Sequence, residues 1–97
     1  MHINTPEQQE AILVALAARN LLEKWLAGEN ITDTIDNASP NVEEIIIEAA
    51  IDLQDIEMQK EWINIIRGDG SDKRRDILAD KCVKKTQEIN ESLRWEK

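Results

Sequence analysis

The chain predicts an all-α protein, a bundle of three long helices over residues 6–27, 42–67 and 72–95. Three observations carry this. Apolar residues recur at three- and four-residue spacings through most of the 97 residues. Only three Gly and two Pro interrupt the pattern, and both Pro stand near helix starts. Thr5 with Gln8, and Asn41 with Glu44, form capping-box signals ahead of the first two periodic segments. The length allows one domain, spanning 1–97. With no Phe or Tyr, the core must come from Ile, Leu, Val, Ala and three Trp.

The first helix begins on Thr5-Pro6 and stops at Gly28. Its segment Ala11 to Ala18 is apolar on every side, so it must be enclosed all round. Its second half keeps Leu21, Leu22, Trp25 and Leu26 to one side. Residues 29–41, ENITDTIDNASPN, are rich in turn formers and read as a loop, with Ile31 and Ile35 able to anchor one helical turn. The second helix starts near Asn41 and ends at Gly68. The turn Gly68-Asp69-Gly70 leads into a third helix with a single narrow stripe of Leu78, Cys82, Ile89 and Leu93, and Thr86 within it.

The second helix is the most informative segment. At 100° per residue it carries two apolar stripes. Val42, Ile46, Ala49, Leu53, Ile56 and Ile63 form one; Ile47, Ile51, Met58, Trp62 and Ile65 form the other. Glu44, Glu48, Asp52 and Asp55 run between them. An ordinary surface helix needs one apolar stripe. Two stripes here, with a narrow one on the third helix, predict excess apolar surface covered by a partner, first of all a second copy in a helical homo-oligomer such as a dimer. Trp62, sharing its stripe with Ile47, Ile51 and Met58, is the expected interface anchor. In an up-down-up bundle, Trp25 and Trp95 would meet at one end and Trp62 would lie at the other.

Net charge is −8, unevenly spread. Residues 1–66 hold three basic and thirteen acidic side chains, giving −10; residues 67–97 come to +2. Binding phosphates needs a concentrated positive patch, so direct nucleic-acid binding is disfavoured. The basic clusters Lys73-Arg74-Arg75 and Lys84-Lys85 are interleaved with Asp69, Asp72, Asp76 and Asp80. No apolar run reaches the length of a membrane span, and no signal-peptide pattern opens the chain, so a cytoplasmic setting without a membrane is expected. The single Cys82 excludes an internal disulfide framework and reads as a buried thiol.

Like charges one turn apart destabilise a helix, so the carboxylate row must be offset. Arg74, Lys81 and Lys85, along the third helix, are one internal source. A protein partner with a basic surface is another, recognised by charge complementarity. A third is Mg²⁺ or Mn²⁺. Glu43-Glu44-x-x-x-Glu48 resembles the helical acidic motifs of all-α nucleotide pyrophosphohydrolases of the MazG type, Glu-Glu-x-x-Glu followed by Glu-x-x-Asp. It has one residue too many, however, and only Asp52-x-x-Asp55 stands where the second motif would be. Asp69-Gly70-Ser71-Asp72 lacks the ligand frame of a calcium loop and reads as a turn plus a helix cap. His2 stands alone, and no Ser, Cys or His arrangement supports nucleophilic catalysis.

These readings converge on a small acidic non-enzymatic module without cofactor or metal, an inhibitor, immunity-type or accessory protein of the phage or bacterial kind. Its partner-binding residues are Glu44, Glu48, Asp52, Asp55, Ile47, Ile51, Met58 and Trp62. A structural homo-oligomerisation module and an Mg-dependent all-α hydrolase are the alternatives.

Overall fold

The computed structural model describes residues 5–95, and side chains up to residue 90. The side chains of Leu93 and Trp95 therefore lie outside what is described. The described residues are all-α, with five helices rather than three: α1 (Pro6–Leu26), α2 (Thr32–Asp36), α3 (Pro40–Asp52), α4 (Ile56–Arg67) and α5 (Lys73–Trp95).

The start of α1 follows the sequence signal. Gln8 N–H donates to Thr5 Oγ1, and Thr5 N–H donates to Gln8 Oε1, closing the capping box. At its end, Glu29 N–H donates to the Lys24 carbonyl and Gly28 N–H to that of Trp25, a Schellman closure with Gly28 at φ 86°. Ile31 and Ile35 are buried and anchor α2, the helical turn that the loop's two Ile residues suggested.

The segment 42–67 departs most from expectation. It is not one helix. α3 stops at Asp52, Leu53 is extended at ψ 114°, and α4 restarts with Asp55 as its N-cap, accepting from Glu57 N–H at 2.9 Å. The cap satisfies a donor that a helix start leaves orphaned. On the other side of the break, the buried Gln59 side-chain amide donates to the Leu53 carbonyl. Both exposed ends of the backbone are thus paired by residues of α4. The start of α3 also moves. Ser39, not Asn41, is the N-cap, because Pro40 then occupies the first helical position, where its missing N–H costs nothing.

The break folds α4 back on α3. Ile46 and Trp62 are sixteen residues apart, so on one continuous helix they would point about 160° apart. In the structure both are wholly buried, and the Trp62 indole N–H donates to the Ile46 carbonyl at 3.1 Å. Trp62 also meets Trp25 edge-to-face, with ring centroids 5.1 Å apart. The expected placement of Trp62 at the end opposite Trp25 is therefore corrected. The two stripes of a supposed single helix are largely two halves of one core-facing surface, out of phase because the helix is interrupted.

α3 is the central helix and packs on both α1 and α5. Arg74, at the start of α5, reaches Glu43 near the start of α3 at 3.4 Å, so these two helices set out side by side. α5 runs antiparallel to α4, as the pairs of Arg67 with Asp76 and Asp80 show. The Arg75 guanidinium donates to the carbonyls of Ile65 and Ile66 at the end of α4 and to Asp36. Gly68, at φ 66°, leaves the room for it: a Cβ there would lie 3.1 Å from the Arg75 guanidinium carbon.

Replacing Trp62 with Ala is expected to lower the unfolding free energy by about 3–5 kcal/mol, a large part of the ~5–15 kcal/mol typical of a domain. Urea denaturation followed by circular dichroism measures it. A loss below about 1 kcal/mol would mean that the indole does not hold the fold.

Candidate binding groove

α1 and α5 flank α3 and leave an open groove of about 630 Å³ between them. Its floor is the outward side of α3: Glu44, Ile47, Glu48 and Ile51. One wall is the start of α1, with Glu7, Glu10, Ala11 and Val14; the other is Lys81 and Lys85 on α5. These positions follow from helix geometry. Residues 44, 47, 48 and 51 are spaced by three, one and three, so they share one face. That face lies opposite neither neighbour, because α1 and α5 occupy the two flanks.

The residues expected to form the partner face separate into two groups. Glu44, Glu48, Ile47 and Ile51 come together in the groove, with Glu44 exposed and the other three half-buried. The remaining four do not join them. Asp52 is the exposed last residue of α3, and Asp55 is consumed as the cap of α4. Met58 is half-buried against the core. Trp62 is 0% exposed and cannot present itself to a partner in this fold. The carboxylate row is thus interrupted by the same break that turns Trp62 inward.

Glu7 and Glu10 were not singled out by the sequence reading. Their signal was weak: two carboxylates in the first turns of a helix are ordinary helix-start chemistry. Only the fold places them across from Glu44 and Glu48.

Among the described residues, no basic group lies within ion-pair distance of Glu44 or Glu48. Three arginines are engaged elsewhere: Arg67 with Asp76 and Asp80, Arg74 with Glu43, Arg75 with Asp36. The hydrogen bonds that Arg67 donates to the Asp80 and Asp76 carboxylates raise the pKa of its guanidinium above the ordinary value. Lys81 and Lys85 face the groove from across it without closing on these glutamates. The expected internal offset of the Glu44, Glu48, Asp52 and Asp55 row by α5 is therefore not found among the described residues: Arg74 pairs instead with Glu43, which lies outside that row. Glu43 and Glu44 point to different surroundings, and among the described residues no three carboxylate, His or Cys groups gather as metal ligands.

Two other features resolve into local structure. Asp69 accepts from the Ser71 hydroxyl at 2.6 Å and from Ser71 N–H at 2.9 Å, which lowers its carboxyl below the ordinary value. Asp72 accepts from Arg74 N–H at 2.9 Å at the start of α5. The segment is a turn and a cap. No described helix is long and apolar enough to cross a membrane.

Comparison with protein-family models, with curated proteins and with solved structures gives no match for this chain.

Cys82 is wholly enclosed, and burial pushes its thiol up to about 12. At pH 8 only about one thiol in ten thousand would be ionised. The folded protein should therefore leave Ellman's reagent unreacted over minutes and release one equivalent of colour once unfolded in guanidinium. Immediate reaction of the folded protein would contradict the burial.

Proposed function

We propose that the chain is a non-enzymatic protein-binding module, an inhibitor or accessory protein that acts in the cytoplasm. Its working surface is the groove between α1 and α5. The observation that carries this reading is the gathering of Glu7, Glu10, Glu44 and Glu48 around the apolar strip of Ile47, Ile51 and Val14, with no ion pair to Glu44 or Glu48 among the described residues. The occupant that fits is an amphipathic helix. Its apolar positions at i, i+3, i+4 and i+7 would lie on the strip, and basic side chains would stand over the glutamates. Lys81 and Lys85 give the opposite wall the other sign, so a carboxylate on that side of the occupant would fix its orientation. Nucleic acid is a poor occupant, since the glutamates outnumber the lysines along the groove.

A second reading, a homo-oligomerisation module, draws on a different surface. Ile12, Leu13 and Leu16 of α1 are exposed although the segment around them is apolar throughout.

The groove reading is tested by capture from source-cell lysate with the wild type, a Glu44→Gln/Glu48→Gln variant and an Asp52→Asn control. A partner held through the groove is retained by the wild type and the control at low salt. It is lost in the double variant and at high salt, where screening shortens the reach of surface charge. Capture unchanged by the double substitution would contradict the reading.

A further inference from the structure

α4 and α5 leave a hollow of about 470 Å³ between them, on the flank of α5 away from the groove. Val83 and Gln87 line the hollow, whereas Lys81 and Lys85 line the groove. At 100° per residue these two pairs lie about 160° apart around the helix. The volume falls within the ~300–1,000 Å³ of small-molecule sites. Ile56 and Ile63 of α4 and Val83 of α5 give the hollow apolar sides.

Its base is polar. Gln59 and Thr86 line the hollow although they are only 9% and 6% exposed. The Gln59 side-chain amide donates to the Leu53 carbonyl. Only the nitrogen of an amide can donate, so Oε1 is turned the other way. No hydrogen bond from a described residue reaches that oxygen. No buried side-chain polar atom lacks a partner among the described residues, so Oε1 is not sealed in. The hollow that Gln59 lines gives it its opening. The Thr86 hydroxyl donates its one proton to the Val83 carbonyl at 2.9 Å, so toward a ligand it can only accept.

We infer that this hollow binds a small uncharged aromatic molecule carrying one N–H or O–H donor, of the phenol or indole type. Chemistry excludes the other classes. Lys60 and Arg67 are the charged side chains of the lining, so a cation gains nothing there. The accepting oxygens at the base disfavour an anion. A purely apolar molecule would cover Gln59 Oε1 and leave it without a donor, which costs the desolvation of that group. A neutral donor satisfies it. A flat ring suits the slot between two antiparallel helices, with Ile56, Ile63 and Val83 against its faces. The site is independent of the groove and needs no partner protein.

Titration of the ¹⁵N-labelled full chain with phenol, indole and toluene, followed by ¹H–¹⁵N NMR, reads the binding. Toluene has the shape of phenol without the hydroxyl and is more apolar, so area alone would favour it. Phenol and indole should give saturable shifts at the Gln59 side-chain amide and at the backbone of Ile63, Val83 and Thr86. A Kd of about a millimolar is the scale for ligands so small. Toluene should bind at least about fivefold more weakly than phenol. Gln59→Met should abolish that preference. Because Gln59 also pairs the end of α3, circular dichroism checks the variant's helix content. Should it fail to fold, the phenol–toluene comparison on the wild type decides alone.

No shifts at these residues, shifts scattered over the surface, or equal binding of toluene would overturn the proposal. So would a folded Gln59→Met protein that still prefers phenol. The Glu44→Gln/Glu48→Gln variant should bind phenol as the wild type does. Loss of the groove reading therefore leaves this site standing, and the reverse.

Discussion

The interruption after Asp52, bridged by Trp62, is the constraint on which the other packing decisions rest. A helix running unbroken from residue 40 to 67 would be about 42 Å long and would hold Ile46 and Trp62 on opposite faces. Breaking it lets one indole fill the space between α3, α4 and the end of α1. The indole N–H finds the Ile46 carbonyl, and the ring meets Trp25. The cost of a break is unsatisfied backbone, and it is met locally by the Asp55 cap and the Gln59 amide. No buried side-chain polar atom among the described residues is left without a partner.

The second constraint comes from α5. Its opening residues Arg74 and Arg75 donate to the carbonyls of Ile35 and Asp36 at the end of α2 and of Ile65 and Ile66 at the end of α4. Two helix ends therefore share one pair of arginines, and cations at helix C-termini are favoured by the peptide dipoles. With Arg74 and Arg75 engaged there, the α5 side chains that line the groove are Lys81 and Lys85. That division of labour explains why an internal charge balance is reached at Glu43 and not at Glu44 or Glu48. The acidic groove and the clamp are consequences of the same placement of α5.

What was legible in the sequence was what is set locally. The ends of α1, the stop at Gly68 and the start of α5 follow from caps and glycines within a few residues of each boundary. The buried Ile31 and Ile35 and the enclosed Cys82 followed from periodicity. The break was hidden because Leu53-Gln54-Asp55 contains no Pro or Gly. An Asp can cap a new helix or sit on an existing one, and only Trp62 packing decides between them. The misplacement of Trp62 and Met58, and the continuous row through Asp52 and Asp55, follow from that one missed interruption. Ile47 and Ile51 beside Glu44 and Glu48 were legible because they lie within one uninterrupted helix. Their neighbours Glu7 and Glu10 come from a distant segment whose angle no local pattern fixes. The outer strip of α1 was foreseen as apolar surface in need of cover, yet the chain itself covers only the side toward α3.

The measurement that tests this account most directly is backbone NMR assignment of the segment 48–60, with ¹³C secondary shifts and exchange of the Trp62 indole proton. The account predicts helical shifts through Asp52, extended values at Leu53, helical shifts again from Ile56, and an indole N–H that exchanges slowly. Unbroken helical shifts through Leu53, with a rapidly exchanging indole, would restore a single long helix. Trp62 would then return to the surface, and the groove would lose the geometry that defines it.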